Sequence, residues 1–407
     1  MMRRRVLWAV MLLPVAALLV VMAVAGWLLF TESGSRWVIQ QVPGLEVAGY
    51  QGSLGSAWRA ERVVYDDGEG TEARLEGVDL AWSPGCLFTL ELCVDRLHAS
   101  RVALSLPEGE ASEASSDAIE LPAIRLPLSV SIADLDVGRI SWNDTLILEA
   151  IESRATLSSG TLQLDSLRVI REGLDARAEG SLEMRGDWPV DLALELDYET
   201  GTDFPGELNL TAELAGTVSA LEVMARMSHP WQARLQGRVN PLEPGVPAEA
   251  RLSAEHFAAT PDLPPHYALR DLVLDASGDL DEGWSVAGDA VLATQPGLDV
   301  SLQGHTTIKQ ASIEKLAVSD DQGGARSLVL RGASVSWSDG LSASGSLAWH
   351  YFPWQRLVPD LPSVPVAVSD AGLDFALEDG EYTGRLDAQL FTREGPVWLR
   401  TPVEGDF

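Results

Sequence analysis

The residues best suited to nucleophilic or metal chemistry in this chain are six histidines, two cysteines and a few acidic pairs. No two histidines have a metal-binding spacing such as HExxH, and there is no GxSxG turn or phosphate-binding loop. Asp320-Asp321 and Asp134-Leu135-Asp136 lack the spacing of a calcium loop. The carboxylates are too numerous to single out a catalytic pair. The sequence therefore predicts no enzyme, no metal site and no cofactor. The histidines are His98, His229, His256, His266, His305 and His350.

The N-terminus has the pattern of a membrane anchor. Arg3, Arg4 and Arg5 precede an uncharged run, residues 6–30, that as a helix would measure about 38 Å, against a hydrocarbon core of about 30 Å. The positive-inside rule places the arginines in the cytoplasm and everything after Thr31 outside the inner membrane. Small residues at 23–25 leave a cleaved signal peptide as the alternative, although the apolar run continues past them. Both interpretations export the bulk of the chain.

Cys86 and Cys93 are the two cysteines of the chain. In an exported protein, such an isolated pair most simply forms a disulfide that closes a short loop. A metal site with His98, the one histidine nearby, would still lack a ligand, and two free thiols are the remaining alternative.

The 407-residue chain has a net charge of −31. This charge argues against nucleic acid as a partner, because phosphates are bound by Lys and Arg. Hydrophobic residues make up 46% of the chain, enough to bury apolar surface.

Beyond residue 50 the chain repeatedly alternates apolar and polar residues, as half-buried strands do. In DWPVDLALELDY (187–198), Val190, Leu192, Leu194 and Leu196 face one way, and the residues that alternate with them, Asp191, Ala193, Glu195 and Asp197, face the other. Turn signals separate the strands, which predicts mainly antiparallel β structure. A one-residue bulge would reverse any single strand. The residues predicted to line an apolar face are Val190, Leu192, Leu194, Leu196, Leu208, Leu210, Leu235, Leu298, Val300 and Leu302.

These patterns divide the chain into four segments. Residues 1–31 form the anchor, and residues 32–106 form a β-rich unit with the cysteine pair, which begins with a short amphipathic helix. Residues 107–120 form an acidic linker or loop. Residues 121–407 form an extended run of strands.

Residues 1–105 resemble the start of the TamB family, in the AsmA-like superfamily. The resemblance rests on the single anchor, on VPGLEVAGYQG (42–52), and on CLFTLELCVDRL (86–97), followed by the acidic spacer. Beyond residue 105 it rests on architecture and on scattered motifs such as DWPVDLAL (187–194).

The resemblance implies one long, highly curved sheet, a half-pipe with an open apolar groove across the periplasm of a Gram-negative bacterium. It also implies transport of phospholipids, held by their acyl chains, between the inner and outer membranes. An older assignment for the family is assembly of outer-membrane proteins with the barrel protein TamA. The family's longer members continue into a C-terminal domain, associated with a TamA-type barrel, that this sequence does not show.

Alternation of residues by itself leaves other interpretations open. The strands could close into stacked sandwiches that fill one another's apolar faces, as a structural or protein-interaction module. An exposed edge strand could instead capture an unfolded outer-membrane protein by β-augmentation.

Overall fold

The computed structural model describes Val20 and residues 23–406, except 69, 106–120, 125, 144, 200–205, 259, 261–262, 321–325, 338–339, 360–366, 379 and 393–394. The protein is mainly β, as predicted. Its described residues form two compact units, unit 1 up to residue 196 and unit 2 from residue 197 onward. The predicted acidic linker, 107–120, lies outside the described residues.

Helical backbone over residues 23–30 (α1) leads into α2 (Glu32–Ile39). The Thr31 side chain caps α2 by accepting a hydrogen bond from the Gly34 amide at 3.1 Å. Within the part of the chain that the structure describes, no helix combines the length and the apolar character needed to cross a membrane. Most of the predicted anchor, with Arg3, Arg4 and Arg5, lies outside that part.

Unit 1 contains eleven strands in chain order. They are β1 (Leu45–Ala48), β2 (Gln51–Gly52), β3 (Ala57–Asp66), β4 (Glu72–Ser83), β5 (Glu91–Ser105), β6 (Ser129–Trp142), β7 (Thr145–Leu148), β8 (Ala150–Ser158), β9 (Thr161–Arg171), β10 (Leu174–Glu183) and β11 (Pro189–Glu199), the last of which reaches the boundary with unit 2. A 3-10 turn, Pro84–Thr89, joins β4 to β5.

One ladder of unit 1 departs from the predicted antiparallel pattern. β5 and β6 run parallel, with Glu91 opposite Ser129 and Leu104 opposite Trp142. Parallel neighbours need a long crossover connection, because the chain must return to the end from which it started. The chain from Ser105 to Ser129, which includes the predicted acidic linker, connects these two strands.

Unit 2 contains thirteen strands. They are β12 (Glu207–Thr217), β13 (Ala220–His229), β14 (Ala233–Val239), β15 (Ala248–Phe257), β16 (Leu269–Asp279), β17 (Gly283–Leu292), β18 (Leu298–Thr306), β19 (Gln310–Ser319), β20 (Ser327–Ser336), β21 (Ser342–His350), β22 (Ala367–Glu378), β23 (Glu381–Thr392) and β24 (Gly395–Asp406). Two short helical segments interrupt them, Pro265–Tyr267 before β16 and α3 (Trp354–Leu357) between β21 and β22.

Each strand of unit 2 pairs antiparallel with the next in the chain. Such a meander follows from strands joined end to end by turns and short connections. Its connections therefore alternate between the two ends of the strands.

Candidate functional site

The candidate site is one face of the unit 2 sheet, which we call the apolar face. Residues directly opposite each other in neighbouring strands lie on the same face, so the registers identify which side chains share it. One row crosses the middle of this face, with one residue from each strand of β12–β24, and we call it the central row. Its members are Ala212, Ala225, Leu235, Leu252, Leu274, Gly288, Leu302, Leu316, Leu330, Leu347, Leu373, Leu386 and Thr401.

A second row, the covered row, lies next to the central row and nearer one end of the strands. Like the central row, it contains no charged side chain among its described members. They are Leu210, Met227, Ala233, Ala254, Leu272, Ala290, Val300, Val318, Leu328, Trp349, Ala371, Ala388 and Leu399.

The two rows differ in how much of their surface is exposed. Most of the covered row from Ala233 to Val318 is buried, whereas the leucines of the central row are half-buried. Residues next to the central leucines in sequence point to the opposite face, and several of them are exposed, for example Gln236 beside Leu235 and Gln303 beside Leu302. The central row is therefore apolar surface that the described chain shields only in part.

The covered row is buried because connections at its end of the strands, the covered edge, pack onto it. Leu298 is 0% exposed and lies in a cluster with Leu292, Val318 and Phe352. Phe352 lies just before α3, where Trp354 contacts the ring of Trp349 edge-on at 5.2 Å between centroids. The segment between β21 and β22 thus fills part of the apolar face with its own aromatic side chains.

A second buried cluster lies farther along the same edge. Ala233, Ala254, Leu272 and Ala290 form its centre. Beside it, the Trp231 ring packs on Phe257 at 4.7 Å and donates its indole N–H to the Ala258 carbonyl at 2.7 Å. The hydrogen bond holds this aromatic pair at the end of the strands.

Glycines bring neighbouring side chains close to the apolar face. At Gly345 an added Cβ would lie 2.8 Å from the Ala333 Cβ and 3.1 Å from the Phe375 ring, and at Gly288 it would collide with Leu274. Larger neighbours thus extend over the glycines and keep the face continuous and apolar.

The opposite end of the strands, which we call the turn edge, is built differently. Its connections at 218–219, 280–282 and 307–309 are short. Several apolar side chains there point into solvent: Leu280 is 51% exposed, Ile308 71%, Trp337 47% and Leu341 57%. The Trp337 indole donates to the Ile308 carbonyl at 2.8 Å, which joins two neighbouring turns.

The other face of the unit 2 sheet is polar and ion-paired. A shallow depression of about 930 Å³ there includes Glu222, Arg238, Glu249, Arg251 and Asp275 in its lining. The Arg238 guanidinium lies 3.1 Å from Glu222 and 3.7 Å from Glu249. Because the arginines are paired within the sheet and largely exposed, this depression is a solvated surface.

Unit 1 carries a similar charge ladder. Arg168 donates to the Asp175 carboxylate at 2.7 Å, and Arg177 reaches the same carboxylate at 3.0 Å and Glu195 at 3.8 Å. The hydrogen bond from Arg168 holds the pKa of Asp175 below its ordinary value. These pairs tie neighbouring strands together on the solvated side.

Five predicted lining residues fall on the apolar face of unit 2. Leu235 and Leu302 belong to the central row, and Leu210 and Val300 belong to the covered row. Leu298 lies opposite Leu292 beneath Phe352, within the chain's own core.

Leu208 lies beyond a register shift between Asn209 and Leu210, so alternation does not assign its face. In β11, Val190 is 9% exposed and Leu192, Leu194 and Leu196 are half-buried, while the residues between them are exposed. Their role as a lining stays a prediction.

The sequence reasoning missed the cover at residues 351–358. The aromatic content of YFPWQRLV, in a long connection between strands, was the available signal, since exposed connections are usually polar.

Cys86 and Cys93 are joined by a disulfide, with their Cα atoms 6.0 Å apart. Glu91 lies near both sulfur atoms. Sulfurs bonded to each other offer no thiolate to a metal ion, so this group is a covalent link between the 3-10 turn and β5.

A family model described as TamB, N-terminal domain, matches residues 19–120 and 108–364. No solved structure matches the chain significantly.

Proposed function

Because the chain belongs to the TamB family, whose N-terminal domain model covers most of its length, we propose that its apolar face carries phospholipid acyl chains between the inner and outer membranes. The observation that carries the proposal is the central row, which is uncharged on every strand of unit 2, has no polar side chain from β12 to β23, and is only half-buried at its leucines. Apolar surface left in water costs about 25 cal/mol per Å². An acyl chain laid along the row would remove that cost without a change in the sheet.

The length of the central row suits the passage of lipids along it better than the binding of one lipid at one site. Neighbouring strands lie about 4.8 Å apart, so thirteen strands give the row a contour length of roughly 58 Å. An acyl chain spans about half of a 30 Å hydrocarbon core, roughly 15 Å. The row therefore offers several successive positions with similar side chains and no charged barrier between them.

The proposal includes the membrane topology expected from the sequence. The apolar run of residues 6–30 anchors the chain in the inner membrane, with Arg3–Arg5 in the cytoplasm and the strands in the periplasm. The extended, curved groove implied by the family would then lead lipid away from the inner membrane.

The covered edge favours a second candidate function. Where Phe352 and Trp354 pack onto the sheet, the chain fills its own apolar face, as a structural or chaperone module for outer-membrane proteins would, working with a TamA-type barrel. This interpretation accounts for the covered row, and it leaves the half-buried central row without an occupant.

Photocrosslinking in intact cells tests the lipid proposal. A photoreactive amino acid replaces Leu235, and its matched control replaces Gln236 on the opposite face. A second pair, Leu194 and Glu195, tests β11. We expect phospholipid adducts by mass spectrometry at 235 and 194, several-fold above 236 and 195. Adducts at 235 only to this chain or to an outer-membrane protein would refute transport and favour the second candidate.

A further inference from the structure

The disulfide-closed loop of unit 1 exposes apolar side chains at its tip. Phe88 is 95% exposed, Leu90 69% and Leu87 45%. Three exposed apolar side chains within one short loop are a costly arrangement in water, and such patches mark surfaces that meet an apolar partner.

The loop is held in this conformation. Besides the disulfide, the Leu90 amide donates to the Leu87 carbonyl at 3.1 Å, and the Thr89 hydroxyl donates to the Cys86 carbonyl at 2.7 Å. On its far side, the Leu90 carbonyl accepts from the Ser129 amide at 2.9 Å. Because the backbone is fixed from three sides, the exposed side chains cannot fold back by a small rearrangement.

The loop lies at the same end of unit 1 as the N-terminal apolar segment. The Gly55 amide donates to the Leu29 carbonyl at 2.7 Å, which ties the end of α1 to the turn before β3. Ser56 is the next residue of that turn, and its carbonyl accepts a hydrogen bond from the Trp82 amide at 2.9 Å. Trp82 is near the end of β4, where the chain enters the disulfide loop. Two short steps through hydrogen bonds thus connect α1 with the loop.

The two ends of these strands have opposite character. Around α1, Trp27 and Phe30 are about half exposed, at 48% and 55%. At the far end of β3 and β4, the turn begins Asp66-Asp67 and carries acidic side chains. An anionic membrane surface would repel the acidic end and accept the apolar end. This difference between the two ends favours a bilayer as the partner of the loop.

We propose that the Cys86–Cys93 loop inserts Leu87, Phe88 and Leu90 into the lipid surface that holds the N-terminal apolar segment. The loop is then a second point of membrane contact, and it fixes the orientation of unit 1 on the bilayer. Exposed apolar side chains that lie at the acyl boundary are the usual means by which a folded domain binds a membrane surface. The inference needs a membrane-anchored chain and does not depend on lipid transport by unit 2.

Depth-dependent fluorescence quenching tests the proposal on the full chain in vesicles of phosphatidylethanolamine and phosphatidylglycerol. An environment-sensitive fluorescent amino acid replaces Phe88 or, as the matched control, Tyr65, an exposed aromatic residue at the other end of β3. We expect nitroxide lipids labelled near the headgroup to quench position 88 at least twofold more than position 65. Aqueous iodide should quench position 65 more strongly.

A second variant distinguishes insertion of a loop held by its disulfide from nonspecific hydrophobic binding. Replacing both Cys86 and Cys93 by Ser should lower nitroxide quenching at 88, while circular dichroism stays unchanged. Quenching of 88 by iodide to the same extent as 65 would overturn the proposal. Recovery of the chain away from the vesicles would overturn it too, whatever the result for lipid transport.

Discussion

The covered edge and the turn edge of unit 2 treat the apolar face between them in opposite ways: one buries it and the other leaves it exposed. Both border one apolar face, and both belong to the same meander. At the covered edge, aromatic connections such as Phe352–Leu357 pack onto the sheet and bury it. At the turn edge, short turns leave the face uncovered and present Ile308 and Leu341 to solvent. The difference shows that the apolar residues of a strand do not determine whether a sheet face is buried. The connections between the strands determine how much of the face the chain itself covers.

The largest effect we expect is a difference in stability between Leu298, in the buried core at the covered edge, and Leu302, in the central row. Leu298→Ala should destabilise β17–β18 by about 3–5 kcal/mol, since it opens a cavity at a side chain that is 0% exposed. Leu302→Ala, four residues away in the half-buried central row, should cost about 1–2 kcal/mol. Hydrogen exchange read by mass spectrometry, peptide by peptide, measures both. Equal costs would mean that the central row is as well packed as the buried core at the covered edge.

An intermediate effect should follow from removing the cover. In Trp354→Ala, the contact with the Trp349 ring is lost, and the covered row beneath becomes accessible. A photoreactive residue at Val300 should then form several-fold more lipid adducts than in the parent chain. The exposed neighbour Gln355→Ala, on the same short helix, is the control. Unchanged adducts at 300 in both variants would show that the cover does not limit access.

The smallest effect should come from the turn edge. Ile308→Ser changes a side chain that is 71% exposed, so the free energy of unfolding should shift by about 0.5 kcal/mol or less. The same hydrogen-exchange measurement, on peptides of β18 and β19, checks this. A shift comparable with that of Leu298→Ala would mean that the exposed side chains of the turn edge are part of a packed core.

Much of unit 2 could be predicted from its sequence, because strict alternation survives in strands such as β14 and β18. Leu235, Val300 and Leu302 were assigned to the apolar face from parity, and the registers place them there. Leu208 shows the limit of this reasoning. A register shift lies beside it. Such a shift disturbs the pairing of only one pair of residues, so the apolar and polar pattern of the strand does not reveal it.

The covering segments escaped prediction for a different reason. Whether YFPWQRLV turns back onto the sheet or away from it depends on the space left by Leu298 and Val318, which lie far from it in sequence. Alternation reports which face of a strand is apolar and carries no information about what covers that face. The parallel ladder of β5 and β6 was missed for the same reason, because the partner of a strand is a long-range property.

The parallel ladder also has a consequence for the order of events during folding. β5 finishes at Ser105, and its next partner, β6, begins only at Ser129, after the acidic crossover. While the chain is being synthesised, the free side of β5 must wait with its backbone groups unpaired, and an unpaired strand edge invites association with other chains. The glutamates and aspartates between the two strands are added to the chain during that interval. Their negative charge repels other copies of this acidic chain until β6 arrives.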